Sequence, residues 1–308
     1  MAAISDSYIS NRREGAAARL PAAAADVDDE SSFGYYAPVG AARLLLWCTR
    51  HTPLGRGRMR KFAGALFQRL HADPVDVERW GAPLRLYPAG NVSERKALFR
   101  PDRFNRREFA FLADLFREAP GVFVDIGANV GLFSLFLARE AAAGTTIVSI
   151  EPHPSLFRRM AYNFRGLDGA RRGIDIRAVE AALGDGPGTV YLRPDAEDLG
   201  ASAVAGACTE DAIAVAMTTL RLLIEDERLD AIRAVKIDVE GYEDRVLGPF
   251  FREAPERLWP EALIVEHLNR DDWDFDCIGE CEARGYTQNF RTRGNTGLTR
   301  APAGARSL

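Results

Sequence analysis

Beyond residue 120, apolar and polar residues follow two different rhythms. Short runs of apolar, often β-branched residues have the length of buried strands, and they cover residues 122–127, 145–151, 174–183, 234–240 and 261–268. Between most of these runs, apolar residues recur every three or four positions, as in amphipathic helices, over residues 132–142, 155–166, 243–251 and 276–285. This alternation predicts an α/β fold with a doubly wound, mostly parallel sheet and helices on both faces.

The first 120 residues lack this alternation. Residues 1–32 are rich in Ala, Ser, Asp and Arg and have no sustained apolar period, so we predict a disordered N-terminal tail. Residues 33–120 are predicted to form a small cap of helices and a hairpin-like element. The patterns behind this cap are helical at 42–48, 62–70 and 106–119 and strand-like at 84–87. The main domain is then expected to span residues 121–308, with an irregular insertion at 184–233.

Composition is typical of a soluble globular protein. Of the 308 residues, 47% are hydrophobic and 27% are charged, which is ample material for one large core. The sequence has no run of roughly 18 or more apolar residues, and its start lacks the basic-then-apolar order of a signal peptide. We therefore predict a cytoplasmic protein without a membrane span, and leave open whether it forms a homo-oligomer.

Charge is distributed unevenly along the chain. Residues 1–110 hold 18 Lys/Arg and 12 Asp/Glu, whereas residues 111–308 hold 22 and 32. Much of the basic excess lies in RHTPLGRGRMRK at 50–61, a type of segment that can bind nucleic acid or anionic lipid. No interleaved aromatic residues or paired basic stripe accompany it. We therefore interpret it as a solvated turn and helix face, and expect no nucleic-acid partner.

Polar residues close four of the predicted strands. In an open parallel sheet the ligand binds outside the carboxyl ends of the strands, where the strand order reverses. A strand that is only buried has little use for a terminal carboxylate. The residues at these ends are Asp125 with Gly127, Asn129 and Gly131, then Glu151, then Asp238 with Glu240, and finally Glu266 with His267.

The Gly-rich turn DIGANVG does not fit a dinucleotide. Counted from Gly127, the second and third glycine positions of the G-x-G-x-x-G fingerprint are occupied by Asn129 and Leu132, which would crowd a pyrophosphate and separate helix from strand. No Lys-Ser or Lys-Thr pair follows, so a phosphate-binding P-loop does not fit either. These exclusions favour a nucleoside without phosphates, such as S-adenosylmethionine.

Three sequence features match the polar groups of this cofactor. Backbone N–H groups at the turn and the following helix start can bind its carboxylate. Asp125 can meet its ammonium group directly or through water. Glu151 lies 20 residues after Gly131, about the offset at which an acid contacts a ribose hydroxyl in nucleotide folds.

Five blocks in a fixed order resemble the FkbM family of S-adenosylmethionine-dependent methyltransferases. They read DIGANVGLFSLFLA, IEPHPSLFRRMAYNF, EAALGDGPGTVYL, VKIDVEGYEDRVL and LIVEH, and the resemblance covers about residues 84–268. It implies a Rossmann-like class I methyltransferase that methylates a hydroxyl of a sugar, a glycan or glycolipid, or a secondary metabolite. It implies cofactor-binding roles for Asp125, Gly127, Asn129, Gly131, Glu151, Asn163, Glu180, Ala181 and Ala182, the last three at the adenine edge.

The chain departs from the family pattern at one position. The family usually shows Thr-Leu-Asp before the fourth predicted strand, where this chain has Thr219, Leu220 and Arg221. Arg221 thus stands where an acid is expected near the mouth of the active site.

Methylation of a hydroxyl requires a group that takes its proton. His267 has a suitable unperturbed pKa, and Asp238 would serve if burial raised its own. Glu240 and Glu266 complete the set of candidate catalytic residues. Alternatively, Asp238, Glu240 and Glu266 could hold Mg²⁺ to polarise the hydroxyl. Because Lys236 and Asp238 share a face of their strand, a simple ion pair between them is also open.

Two other classes of function remain open at this level. A nicotinamide-dependent oxidoreductase would share the fold, although the occupied glycine positions argue against it. A nucleoside-binding module without catalysis would also fit, because Arg221 replaces an acid that the family pattern places near the active site.

Overall fold

The computed structural model describes residues 27–55, 57–167, 169–195, 198–205 and 211–300. The helices are α1 (Gly40–His51), α2 (Gly57–Leu70), α3 (Val92–Phe99), α4 (Arg106–Phe116), α5 (Leu132–Glu140), α6 (Pro154–Arg165), α7 (Gly169–Arg172), α8 (Leu220–Asp226), α9 (Glu243–Glu253) and α10 (Cys277–Ala283). The strands are β1 (Val75–Arg79), β2 (Ala82–Leu86), β3 (Val122–Ile126), β4 (Thr146–Ile150), β5 (Asp175–Val179), β6 (Ala182–Leu183), β7 (Gly188–Arg193), β8 (Ala203–Ala205), β9 (Ile213–Thr218), β10 (Ala234–Ile237), β11 (Ala262–Glu266), β12 (Tyr286–Arg291) and β13 (Asn295–Arg300).

The central sheet has seven strands in the order β12-β13-β11-β10-β3-β4-β5. The five strands from β11 to β5 run parallel, and β13 runs antiparallel to both β11 and β12. The chain builds outward from β3 to β5 and then returns to β10 on the other side of β3. This reversal places a ligand crevice outside the carboxyl ends of β3 and β10. The predicted doubly wound, mostly parallel sheet is confirmed.

Two apolar layers cover the sheet. Phe123 and Ile147 belong to the layer that contains α4, α5 and α6. Their chain neighbours Val124 and Val148 belong to the layer that contains α8 and α9. Successive side chains of a strand point to opposite faces, so a strand covered on both faces must be apolar throughout. This explains the continuous apolar runs and confirms the predicted helices on both faces.

The third predicted strand, at 174–183, is wrong in its extent. β5 ends at Val179, and β6 leaves the central sheet to pair with β9. A second, four-stranded sheet then forms in the order β6-β9-β7-β8. The segment predicted as an irregular insertion therefore contains regular strands and α8. The apolar pattern hides this change of sheet because both pieces are strands with apolar residues.

The hairpin of β12 and β13 was not predicted. Most residues of β12 are exposed and polar, so the strand shows no apolar alternation. The ring of Phe290 packs on Gly297 of β13, where a Cβ atom would lie 2.1 Å from a ring carbon. The hairpin completes the sheet at its edge and brings the turn between its strands toward the carboxyl end of β11.

Residues 27–32 contradict the predicted disorder of the segment 1–32. The fully buried guanidinium of Arg85 forms two hydrogen bonds with the Asp76 carboxylate, at 2.8 and 2.9 Å. It also donates to the backbone carbonyls of Asp28, Ser31 and Ser32 at 3.0 to 3.1 Å. These contacts fix the segment on the β1–β2 hairpin, although its composition is that of a tail. Residues 1–26 lie outside the described residues.

No helix among the described residues has the length and apolar character needed to cross a bilayer.

Candidate active site

The turn between β3 and α5 lies at the carboxyl end of the central strands. Gly127 has a φ of +68°, and a Cβ atom there would lie 1.8 Å from the carbonyl oxygen of Asp238. Asn129 also has a left-handed φ, of +56°. Its side-chain oxygen accepts a hydrogen bond from Nδ2 of Asn91 at 2.8 Å. Both Gly127 and Asn129 line a cavity of about 800 Å³. The turn is thus held against β10 and α3.

Glu151 follows β4 and lies against this turn. Its Oε2 accepts a hydrogen bond from the backbone N–H of Asn129 at 2.8 Å, and its Oε1 accepts one from the N–H of His153 at 2.9 Å. Burial raises the pKa of Glu151 to about 7, although these two hydrogen bonds act in the opposite direction. Each carboxylate oxygen can accept a second hydrogen bond. Glu151 lines the cavity and can therefore receive a pair of hydroxyl groups.

Lys236 stands between two acids beneath the turn. Its Nζ lies 3.6 Å from Oδ1 of Asp125 and 3.4 Å from Oδ2 of Asp238, and it donates to the carbonyl of Gly127 at 2.8 Å. Burial alone would lower the pKa of Lys236, but Asp238 and Asp125 outweigh it and raise the pKa. The ion pair between Lys236 and Asp238 that the sequence left open is present.

Asp125 differs from Asp238 in its surroundings. Asp125 is fully buried, its Oδ2 accepts from the hydroxyl of Ser134 at 2.7 Å, and burial raises its pKa. The side chain of Asp238 is 36% exposed and lines the cavity. Asp125 therefore pairs with Lys236 inside the sheet, whereas Asp238 faces the space where a ligand would lie.

Two further acids line the same cavity as Asp238. Glu266, at the end of β11, is only 4% exposed, and its Oε1 accepts from the N–H of Leu268 at 2.5 Å while Oε2 has no partner. Burial, reinforced by Asp238, raises its pKa to about 8. Glu240 accepts from Nδ2 of Asn269 at 2.7 Å, and burial with Asp238 raises its pKa to about 7. Glu266 and Glu240 therefore bind protons more tightly than freely exposed carboxyl groups do.

His267 lies behind the cavity wall. It is 7% exposed, and its Nδ1 is 3.2 Å from the hydroxyl of Thr296 on β13. Burial, together with Arg291 and Arg270, lowers its pKa, so its imidazole is neutral. Asp238, Glu240 and Glu266 all line the cavity, whereas His267 does not.

Three predicted cofactor residues do not line the cavity. Gly131 has a φ of +80° and faces α6, where a Cβ atom would lie 2.6 Å from the ring of Phe164. Asn163 accepts from the backbone N–H of Arg85 at 2.8 Å and donates to the carbonyl of Val130 at 3.3 Å. Glu180 is exposed. Ala181 and Ala182, in contrast, line the cavity.

Much of the remaining wall comes from segments in which the sequence analysis named no candidate site residue. They lie within 92–96, 103–108, 198–204 and 292–295. Five cationic side chains are among them: Lys96, Arg103, Arg106, Arg107 and Arg293. The one local signal was the run RPDRFNRRE at 100–108, which has four arginines in nine residues.

Two expectations about the site need correction. Within the described residues, no three acidic, His or Cys side chains converge as a metal site requires, so the suggested Mg²⁺ site at Asp238, Glu240 and Glu266 is not supported. Arg221 lies at the start of α8, where it pairs with Glu225 and places Nε 3.4 Å from Glu253. It therefore contacts α9 rather than the mouth of the cavity.

Several solved structures are similar to part of this chain. A methyltransferase of Geobacter sulfurreducens is 14% identical, with a TM-score of 0.40 over 68% of this chain and 86% of its own. A putative rRNA methylase of Clostridium thermocellum is 8% identical, with a TM-score of 0.40 over 63% and 93%. A precorrin-6y C5,15-methyltransferase of Geobacter metallireducens is 13% identical, with a TM-score of 0.36 over 63% and 89%. No curated protein matches the chain significantly.

The model of the methyltransferase FkbM domain matches residues 125–277, which include every strand end described above. The sheet order, with the antiparallel strand second from one edge, is that of the Rossmann-like class I methyltransferases. The predicted resemblance is confirmed. The chain therefore carries an FkbM methyltransferase domain over residues 125–277.

Proposed function

We propose that this methyltransferase transfers the methyl group to a hydroxyl oxygen of a sugar, a glycan or glycolipid, or a secondary metabolite. The proposal rests on one observation. A carboxylate that can bind a ribose and a group of acids that can exchange protons line the same cavity. Glu151 lies at the end of β4, and Asp238 and Glu266 lie across the point where the strand order reverses.

The cofactor end of the cavity suits an adenosyl group without phosphates. Glu151 can accept hydrogen bonds from the ribose diol, and the backbone of the turn at Gly127 and Asn129 adjoins the space for the amino-acid tail. Ala181 and Leu183 supply an apolar wall for a base. The side chain of Asn129 is already engaged by Asn91 and keeps the turn in this shape. These residues fit S-adenosylmethionine better than a pyrophosphate.

The acids provide the groups that an alcohol acceptor needs. Bound S-adenosylmethionine supplies an electrophilic methyl group. Holding an acceptor oxygen in line with it can be worth roughly 7–11 kcal/mol. Asp238 is placed to take the hydroxyl proton, because it faces the cavity beside Lys236. Glu266, protonated near neutral pH, can donate a hydrogen bond that orients the acceptor. We favour Asp238 over His267 as the base because His267 packs against β13.

Two measurements test the proposal. Calorimetry with S-adenosylhomocysteine is expected to show binding, and Glu151→Gln is expected to weaken it at least tenfold while the thermal midpoint is kept. Glu140→Gln changes a half-buried acid at the end of α5 that does not line the cavity, and it is the matched control. Binding of NADH without binding of S-adenosylhomocysteine would instead support an oxidoreductase.

The acceptor is tested by transfer of a labelled methyl group to a panel of glycans, glycolipids and small alcohols. Product that releases its label under conditions that cleave methyl esters, or that carries it on nitrogen or carbon, would contradict O-methylation. Cofactor binding without methyl transfer to any acceptor of the panel would support a binding module without catalysis.

A further inference from the structure

The hairpin of α1 and α2 carries apolar residues on two sides. Its inner side packs on the core through Leu46 and Phe67, and the ring of Phe67 meets Phe99 edge-on at 5.4 Å. Four other large apolar side chains of the hairpin are more than half exposed: Leu44 at 62%, Trp47 at 55%, Met59 at 53% and Phe62 at 63%. We refer to these four as the outer apolar patch. Single exposed apolar residues are ordinary, but four on one helical hairpin mark an interaction surface.

The spacing of these residues separates them from the core. Leu44 and Trp47 are three residues apart, so they share a helix face. The buried residues Ala42 and Leu46 lie on the opposite side of α1. Met59 and Phe62 show the same spacing on α2. The patch therefore is not the edge of the hydrophobic core.

The charge around the patch has one sign. Residues 31–72 contain no Asp or Glu and seven basic residues: Arg43, Arg50, Arg56, Arg58, Arg60, Lys61 and Arg69. The sequence analysis noted that no aromatic residues are interleaved in the basic run. Trp47 on α1 and Phe62 on α2 lie just outside the run, and both are more than half exposed. Exposed aromatic and basic side chains therefore occur on the same hairpin.

We propose that the outer apolar patch docks the protein on the surface of an anionic lipid bilayer. Large apolar and aromatic side chains enter the boundary between headgroups and acyl chains, where Trp is favoured. The surrounding Arg and Lys side chains then meet lipid phosphates, each strengthening binding about fivefold near an anionic surface. The occupant is the bilayer surface, and the hairpin lies on it without crossing it.

Two other occupants fit the charge less well. A second copy of the chain in a two-fold dimer would bring two basic patches face to face, which like-charge repulsion opposes. The chain segment 1–26 contains three Asp/Glu and three Arg, so it brings no net negative charge to the basic hairpin. Anionic lipid complements both the apolar and the basic parts of the surface.

The hairpin packs on a helix that forms part of the cavity wall. The ring of Phe67 on α2 meets Phe99 at the end of α3 at 5.4 Å. Val92 and Lys96 of the same helix α3 line the cavity. A bilayer bound at the hairpin would lie beside the cavity, where an acceptor embedded in lipid could reach it. The docking itself does not depend on the methyltransferase reaction.

Vesicle co-sedimentation of the full chain tests the proposal. Vesicles of equal parts phosphatidylcholine and phosphatidylglycerol are expected to bind the protein, vesicles of phosphatidylcholine alone are expected to bind it weakly, and added salt should reduce binding. Arg58→Gln with Arg60→Gln is expected to weaken binding about 30-fold, at roughly fivefold per charge. Arg252→Gln with Arg257→Gln removes two exposed charges elsewhere and should leave binding unchanged.

A second pair of variants tests the apolar part. Trp47→Ser with Phe62→Ser should weaken vesicle binding and leave calorimetric binding of S-adenosylhomocysteine intact, which shows that the fold is kept. Equal loss in the control pair, or no preference for anionic vesicles, would overturn the proposal. So would a concentration-dependent dimer that the Ser pair abolishes, binding to single-stranded RNA without binding to vesicles, or vesicle binding that appears only after removal of residues 1–26.

Discussion

Glu266 should make the protein less stable as the pH rises from 6.5 to 8.5. Its pKa in the folded protein is about 8, against an ordinary value of 4.5, because burial and Asp238 disfavour its charged form. A carboxyl whose pKa is raised on folding binds its proton more tightly in the folded state. Its stabilising contribution is therefore complete below the unfolded pKa and is lost as the pH rises through the folded pKa.

The size of the effect follows from these two values. A group with a folded pKa near 8 loses about 2 kcal/mol of stabilisation between pH 6.5 and 8.5. Glu266 adjoins a solvent-filled cavity, and screening there reduces the loss to about 1–2 kcal/mol. Glu151 and Glu240, with pKa values of about 7, add to the same trend. The pKa of His267 is lowered, so its stabilising contribution is lost only on the acid side of this window.

The assay is urea unfolding at both pH values, compared with Glu266→Gln. Gln keeps the acceptor for the Leu268 N–H and resembles the protonated acid, so the variant should match the parent at pH 6.5. At pH 8.5 it should be more stable than the parent by about 1–2 kcal/mol. Equal pH dependence of the free energy of unfolding in both proteins would refute the reasoning, because it would mean that Glu266 titrates normally.

Three further predictions concern the charged residues around the sheet ends. Lys236→Met should reduce the free energy of unfolding by about 3–5 kcal/mol, since it leaves buried Asp125 without its cation, and Asp125→Asn in the same chain should restore part of the loss in urea unfolding. Asp238→Asn should slow methyl transfer by about 10²–10⁴-fold with unchanged calorimetric affinity for S-adenosylhomocysteine, and a larger loss in His267→Ala would make His267 the base instead. Arg221→Ala should leave both cofactor affinity and transfer rate unchanged, because its partners lie on α8 and α9; a drop in either would return Arg221 to the active site.

The strands and the acids at their ends were predictable because each is encoded locally. An apolar run followed by a polar residue marks where a buried strand ends, and parallel strands end at one edge of the sheet. The turn at Gly127 and the acids Glu151 and Asp238 follow from that rule, and all three line the cavity. The family blocks added the choice of cofactor, which local patterns alone left to elimination.

The orientation of side chains within a strand end was harder to predict. Glu266 and His267 are neighbours, and consecutive side chains leave an extended chain in opposite directions. Glu266 faces the cavity, so His267 faces β13. Asp125 illustrates the same limit, since its pairing with Lys236 depends on the register between β3 and β10. The walls at 92–108 and 292–295 come from distant parts of the sequence, and only the tertiary fold brings them together.

The hydrogen bonds of Arg85 determine where a shortened chain can begin. The first helix starts at Gly40, but the carbonyl acceptors for this buried guanidinium lie earlier, at Asp28, Ser31 and Ser32. A chain that begins at residue 27 retains all three acceptors. A chain that begins at residue 33 loses them, and three N–H donors of the Arg85 guanidinium, which is only 1% exposed, are then left without acceptors. The folded part of this protein therefore begins before its first helix, at an irregular segment whose backbone carbonyls accept hydrogen bonds from Arg85.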